Sequence, residues 1–159
     1  MATLFAALRR GVLDEFSLPD WEVRPKVRPV YVAPELQQWV DSTPELLAQT
    51  IGSRLLIEHL EQLFCDFSCS ERPPAGDVRR MMPTSQSILS VHAPGLRVYG
   101  WCCAPGRLVA TDAALERATK ADKTLNNRKR DGVLAFVRVH NLEQTIIKGE
   151  LYELFPATS

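Results

Sequence analysis

The stretch Leu96-Arg97-Val98-Tyr99-Gly100-Trp101-Cys102-Cys103-Ala104-Pro105-Gly106-Arg107-Leu108-Val109-Ala110-Thr111 decides how the chain is read. Residues 96–103 alternate well enough for a β-strand. Ala104-Pro105-Gly106 has the chemistry of a short hairpin connection, and residues 107–111 read as the return strand. Ala93-Pro94-Gly95 is an earlier turn, with weaker strand candidates at 78–82 and 87–91. The centre of the chain is therefore a meander with an arginine, Arg97, in its central strand.

Working outward, the upstream half is mainly helical. Val30-Tyr31-Val32 is a short strand. Pro34 suits the first turn of a helix carrying Leu36, Trp39 and Val40. Thr43-Pro44-Glu45 is a second start signal. The Leu46, Leu47, Ile51, Leu55, Leu60, Leu63, Phe64 and Phe67 stripe predicts one helix from Leu46 to Phe67. His59 lies on it as a structural residue. Residues 68–77 form a loop rich in proline and glycine.

Downstream, residues 115–125 are either helical or irregular. Asn126 or Asn127 would cap a helix carrying Val133, Leu134 and Val137. Lys148-Gly149 would turn between two short strands. Residues 1–29 form an N-terminal extension. Leu4, Phe5, Leu8, Val12, Leu13 and Phe16 recur there at roughly helical spacing, and Pro19, Pro25 and Pro29 break the rest into an extended arm.

These elements predict an α+β fold with a twisted, mainly antiparallel sheet and helices packed on one face. Residues 30–159 would form a single domain. A chain of 159 residues, 45% apolar and 24% charged, can bury a core without staples. No apolar run is long enough to span a membrane. Arg9 and Arg10 follow the apolar N-terminus rather than precede it, the reverse of a secretory signal, so a cytoplasmic location is expected.

The four cysteines are Cys65, Cys69, Cys102 and Cys103. Their spacing does not suit a structural zinc site, because adjacent cysteines in a strand point to opposite faces. Free thiols in a reducing compartment are expected, with no metal and no cofactor. Net charge is zero but unevenly spread: residues 90–140 hold nine Lys/Arg against four Asp/Glu, and residues 1–89 hold nine against twelve. The later segment, at +5, suits an anionic partner, or is an ordinary solvated face.

The familiar catalytic signatures are missing from the sequence: a Walker phosphate loop, GxGxxG, HExxH and GxSxG. What remains is the element order, together with VYVAPELQQWV, GDVRRM, LRVYGWCCAPGRLVATDAALERATKADKT and NNRKRDGVLAF. Over about residues 30–142 this resembles the RelE/HigB/ParE toxin superfamily, most closely its HigB-like and phage-derived members.

The resemblance implies a toxin-like, metal-independent endoribonuclease that cuts messenger RNA on the ribosome, with an antitoxin protein as partner. Such cleavage needs a base for the 2′-hydroxyl, positive charge on the phosphate and an acid for the leaving oxygen. Arg97 matches the family's central-strand arginine and would grip the phosphate. Arg117 and Lys120 fall where HigB-like members carry lysines. Ile88 and Ser90 stand where a lysine-using member has its basic pair, with His92 nearby as a candidate base. Arg107, Lys123, Arg128, Lys129 and Arg130 would contact the nucleic-acid backbone.

Plainer readings stand beside these. Arg97 also fits an ordinary surface strand, the other cations fit solvated charges, and Tyr99 and Trp101 fit either base stacking or core packing. The competing functions are a non-catalytic binding module of the same shape, the class to which a gyrase poison of the ParE kind would belong, and a prophage accessory protein of unrelated fold.

Overall fold

The computed structural model describes residues 3–71 and 77–156. Its elements, in chain order, are α1 (Leu4–Arg9), β1 (Asp14–Glu15), β2 (Tyr31–Val32), α2 (Pro34–Asp41), β3 (Thr50–Ile51), β4 (Arg54–Leu55), α3 (Leu56–Cys69) and β5 (Val78–Arg80). Then come β6 (Leu89–Ala93), β7 (Leu96–Ala104), β8 (Arg107–Leu115), α4 (Glu116–Ala121), α5 (Leu125–Val139) and α6 (Leu151–Leu154). The predicted α+β class holds. Six strands lie in the order β1-β2-β8-β7-β6-β5, and β3 and β4 form a separate hairpin. Every pairing is antiparallel except β2 with β8.

The β7–β8 hairpin forms where the Pro105-Gly106 pair stands, with Ala104 opposite Arg107. The return strand runs past Thr111 to Leu115. The register shifts in passing from the Tyr99–Asp112 pair to the Gly100–Ala110 pair, which leaves Thr111 as the extra residue of a bulge, and again between Cys102 and Ala104. Gly100 is what allows this approach: a Cβ there would lie 1.7 Å from the Val109 carbonyl oxygen.

Strand β7 is buried on both sides, so the sheet needs two layers of cover. Leu96, Val98 and Cys102 join Leu60, Leu63, Phe64 and Phe67 of α3 in one core. Tyr99 and Trp101 join Ile88, Val109 and the α5 residues Val133 and Val137 in another. The single helical face of the sequence reading is thus one of two, because large apolar side chains of both parities on β6, β7 and β8 need cover.

The expected helix from Leu46 to Phe67 is also corrected. Residues Pro44–Leu47 form a short 3-10 turn, the β3–β4 hairpin comes next, and α3 begins only at Leu56. Gly52 sits at φ +65°, in the left-handed region that interrupts a helix at low cost only for glycine. Leu47 and Ile51, placed on the apolar stripe by spacing alone, are exposed at 72% and 44%. Glu58 reaches back to accept the Leu55 backbone N–H at 3.4 Å and helps start α3.

Two smaller expectations change. Helix α5 begins one residue before Asn126, and Asp122 holds the backbone N–H of Thr124 at 2.9 Å. Around Lys148-Gly149 there is no strand; α6 forms instead, and Ile147 and Gly106 bond Cys102 and Leu154 across to the hairpin. Residues 3–29 pack onto the sheet: β1 pairs β2, Leu13 is fully buried, and Phe16 meets Phe64 at 5.3 Å. Arg28 donates to the carbonyls of Phe67, Ser70 and Glu71 and so satisfies the end of α3. Part of the expected loop, residues 72–76, lies outside the described residues. Among the described residues no helix is long and apolar enough to cross a membrane.

Candidate functional site

The face of the sheet toward α5 gathers polar residues across four neighbouring strands. Cross-strand register sets Arg79, Ser90, Tyr99 and Asp112 in one row over β5, β6, β7 and β8. The neighbouring row holds His92, Arg97 and Ala114. Residues paired across strands share a face, so His92 and Arg97 stand side by side.

The first row is pinned by α5. The Tyr99 hydroxyl donates to Asn126 Oδ1 at 2.5 Å, and Lys129 Nζ donates to both oxygens of Asp112 at 2.9 and 3.0 Å. Burial is the main cause that pushes the Tyr99 hydroxyl up to about 12, with Asp112 adding to it. Tyr99 and Trp101 are completely buried, and Trp101 donates to Thr145 Oγ1 at 3.1 Å, so both serve the core.

The second row opens at the end of the sheet where β6 turns into β7 and β8 runs into α4. Arg97 has 15% of its side chain exposed; Nη1 donates to its neighbour's carbonyl, Leu96 O, and Nη2 lies 3.2 Å from Glu116 Oε1. The same Glu116 oxygen meets Lys120 Nζ at 3.0 Å. Lys120, first, and Arg97 hold the Glu116 carboxyl below its ordinary value, so it is a carboxylate at neutral pH. His92 is half-buried; burial first, then Arg97 and Arg79, push its pKa down, so its ring is neutral at pH 7.

A cleft of about 270 Å³ adjoins this row, lined by Gln49, Gly95, Glu116, Arg117 and Lys120 among others. Arg117 stands on its rim, 3.4 Å from Glu45. Arg117 and Lys120 line this cleft, whereas His92 and Arg97 do not; Arg97 is linked to Lys120 through Glu116, and His92 stands beside Arg97 in the strand register.

The candidate nucleic-acid contacts are more scattered. Arg107 is exposed at the opposite end of the hairpin, paired with Ala104. It is about 23 Å along the strand from the residue opposite Arg97, at ~3.3 Å per residue. Lys123 is exposed and has no ion pair among the described residues. Arg128 pairs with Asp122, and Arg130 pairs with Asp131 at 3.0 Å while donating to the Met82 carbonyl at 2.5 Å. Lys129 faces inward to Asp112. Five of the nine cations of residues 90–140 pair with the four carboxylates of the same segment, and its net +5 remains.

Glu116, Asp112 and Asn126 are the members of this face that the sequence reading passed over. Glu116 had a signal, its position four residues before Lys120 at a helix start. Asp112 and Asn126 had none, because their partners lie 17 and 27 residues away in sequence. Cys65, Cys69 and Cys102 are buried free thiols and Cys103 is a partly exposed one. Among the described residues no group of His, Cys, Asp and Glu side chains has the makings of a metal site. No protein-family model, curated protein or solved structure matches the chain.

Proposed function

We propose that the chain is a toxin-like endoribonuclease acting in the cytoplasm on ribosome-bound messenger RNA, with the site at the β6–β7 end of the sheet. The observation that carries this reading is the juxtaposition of a neutral imidazole, His92, with a sheltered guanidinium, Arg97, beside the ammonium of Lys120. Those are the three kinds of group that cleavage by a 2′-hydroxyl requires.

In this reading Arg97 holds the scissile phosphate through its guanidinium. His92 takes the 2′-hydroxyl proton as the 2′-oxygen bonds to phosphorus. The bond from phosphorus to the 5′-oxygen breaks, Lys120 protonates that oxygen, and the products are a 2′,3′-cyclic phosphate and a 5′-hydroxyl. Arg117, on the cleft rim, contacts the RNA strand. Arg107 is too far along the hairpin to join it and would meet only a distant part of the strand. An antitoxin protein would be the natural partner.

Expression of the wild type is expected to slow growth by blocking translation, and purified protein to cut ribosome-bound mRNA. Arg97→Ala, shown to be folded, should lower the cleavage rate by about 10²–10³, the usual loss for one electrostatic donor to a transition state. Harmless expression together with intact ribosome-bound mRNA would sink the reading. A non-catalytic binding module then takes its place, and one observation favours that second reading: the cations of the site already have carboxylate partners.

A further inference from the structure

We infer that Glu116 is a built-in competitor for the anion that Arg97 and Lys120 receive, so that a ligand phosphate enters only by displacing its carboxylate. The inference rests on the reading above, in which Arg97 holds an RNA phosphate and Lys120 stands at its leaving oxygen. A single oxygen, Oε1, lies 3.2 Å from Arg97 Nη2 and 3.0 Å from Lys120 Nζ. An oxygen shared by a guanidinium and an ammonium is what a bound phosphate would present there. The carboxylate therefore occupies the position of the ligand's oxygen.

The three groups differ in how firmly they are held. Arg97 is sheltered and tied to the Leu96 carbonyl at 3.0 Å, so the guanidinium stays in place. The Glu116 backbone is anchored by its N–H to the Gly95 carbonyl at 2.9 Å, at the end of the hairpin. Its side chain, 29% exposed, lines the open cleft. Rotation about its side-chain torsions carries the carboxylate into solvent without moving the strand or α4. Its ionised state makes it a persistent occupant at neutral pH.

Competition of this kind lowers apparent affinity by the fraction of time the site stands open. If the open arrangement is populated about a tenth of the time, removing the carboxylate tightens anion binding about tenfold. It also explains how a segment carrying +5 presents a muted anion site in its resting state.

The test uses the full chain and two probes: inorganic phosphate, followed by isothermal titration calorimetry, and a single-stranded 2′-O-methyl RNA that cannot be cleaved. Glu116→Gln should bind phosphate about tenfold more tightly than the wild type. Asp131→Asn makes the same charge change in the same basic segment but touches neither Arg97 nor Lys120, and should leave phosphate binding near the wild-type level. The double variant Glu116→Gln/Arg97→Ala should lose the gain. Equal affinity of Glu116→Gln and wild type, or an equal gain in Asp131→Asn, would overturn the inference. The RNA arm tests the parent reading separately: a gain toward phosphate with no binding of RNA by any variant keeps the competition and removes RNA as the ligand.

Discussion

Toward α3, strand β7 presents Leu96, Val98 and Cys102, packed among leucines and phenylalanines. Toward α5, the intervening residues are Arg97, Tyr99 and Trp101, and the neighbouring strands add Ser90, His92 and Asp112. Both faces are covered by a long helix, but the two covers work differently. On the α3 side the gain comes from apolar area, about 1.5–3 kcal/mol for each large side chain fully buried. On the α5 side each polar group that is taken from water must be given a partner, and the net gain per hydrogen bond is only about 1 kcal/mol. The first face makes the fold stable. The second gathers the polar groups, and at its open end, around Arg97, they are only partly withdrawn from water.

This contrast predicts a steep difference between substitutions on the two sides. Phe67 is fully buried and meets Phe155 edge-on at 5.9 Å. Phe67→Ala should destabilise the fold by about 3–5 kcal/mol, read as a lower urea midpoint. Tyr99→Phe, on the other face, removes one hydroxyl from one buried ring. Because Asn126 is exposed and regains water, the expected loss is only about 1 kcal/mol. A loss on Tyr99→Phe matching that on Phe67→Ala would show that the polar row, not the apolar face, carries the stability.

Arg97→Ala should cost still less, about 0.2–1 kcal/mol, since its ion pair is partly solvated and Glu116 keeps Lys120 as a partner. Thermal unfolding would measure this beside the cleavage assay. A large stability loss on Arg97→Ala would make it a structural residue of the sheet, and the activity comparison would then need Lys120→Ala in its place.

The α3 face and the hairpin were the legible parts of the chain, for a physical reason. Residues 96–111 announce themselves through a two-residue period and a Pro-Gly turn, both local signals. The stripe ending in Phe67 announces helix in the same way, but spacing alone could not see Gly52 turn the chain between Ile51 and Arg54. The second helical layer was illegible because burial of β7 on both sides depends on α5, whose apolar positions are few. The site divides in the same way. Arg97 and Lys120 become candidates only through the resemblance and its strand order, and His92 only as a nearby titratable group. Glu116 gains its place only when β8 brings it to the end of the β6–β7 turn, and Asp112 and Asn126 only when α5 crosses the sheet.

The smallest effect belongs to His92 and tests how far the polar face is withdrawn from water. Burial, then Arg97 and Arg79, hold its pKa below the ordinary 6.5, while Glu116 and Asp77 pull the other way. In the unfolded chain the ring takes its proton near pH 6.5, and in the folded chain only at lower pH. Between those two points the unfolded state binds more protons, so stability rises with pH. The contribution of His92 is therefore full above pH 6.5 and is lost as pH falls through its lower, folded-state value. The carboxylates act in a more acidic window: Arg24 holds Glu22 down to about 2 from 4.5, so that component starts to fade only below about pH 4.5. Urea midpoints measured downward from pH 7.5 should thus fall in the wild type before the carboxylates take part, and fall less in His92→Gln. An NMR titration of the imidazole should show a midpoint under 6.5. A midpoint above that value, with the wild type losing less stability on acidification than His92→Gln, would mean that Glu116 and Asp77 outweigh burial and the two arginines. A midpoint well above 7 would also leave His92 charged in the resting protein and unable to serve as the base of the proposed cleavage.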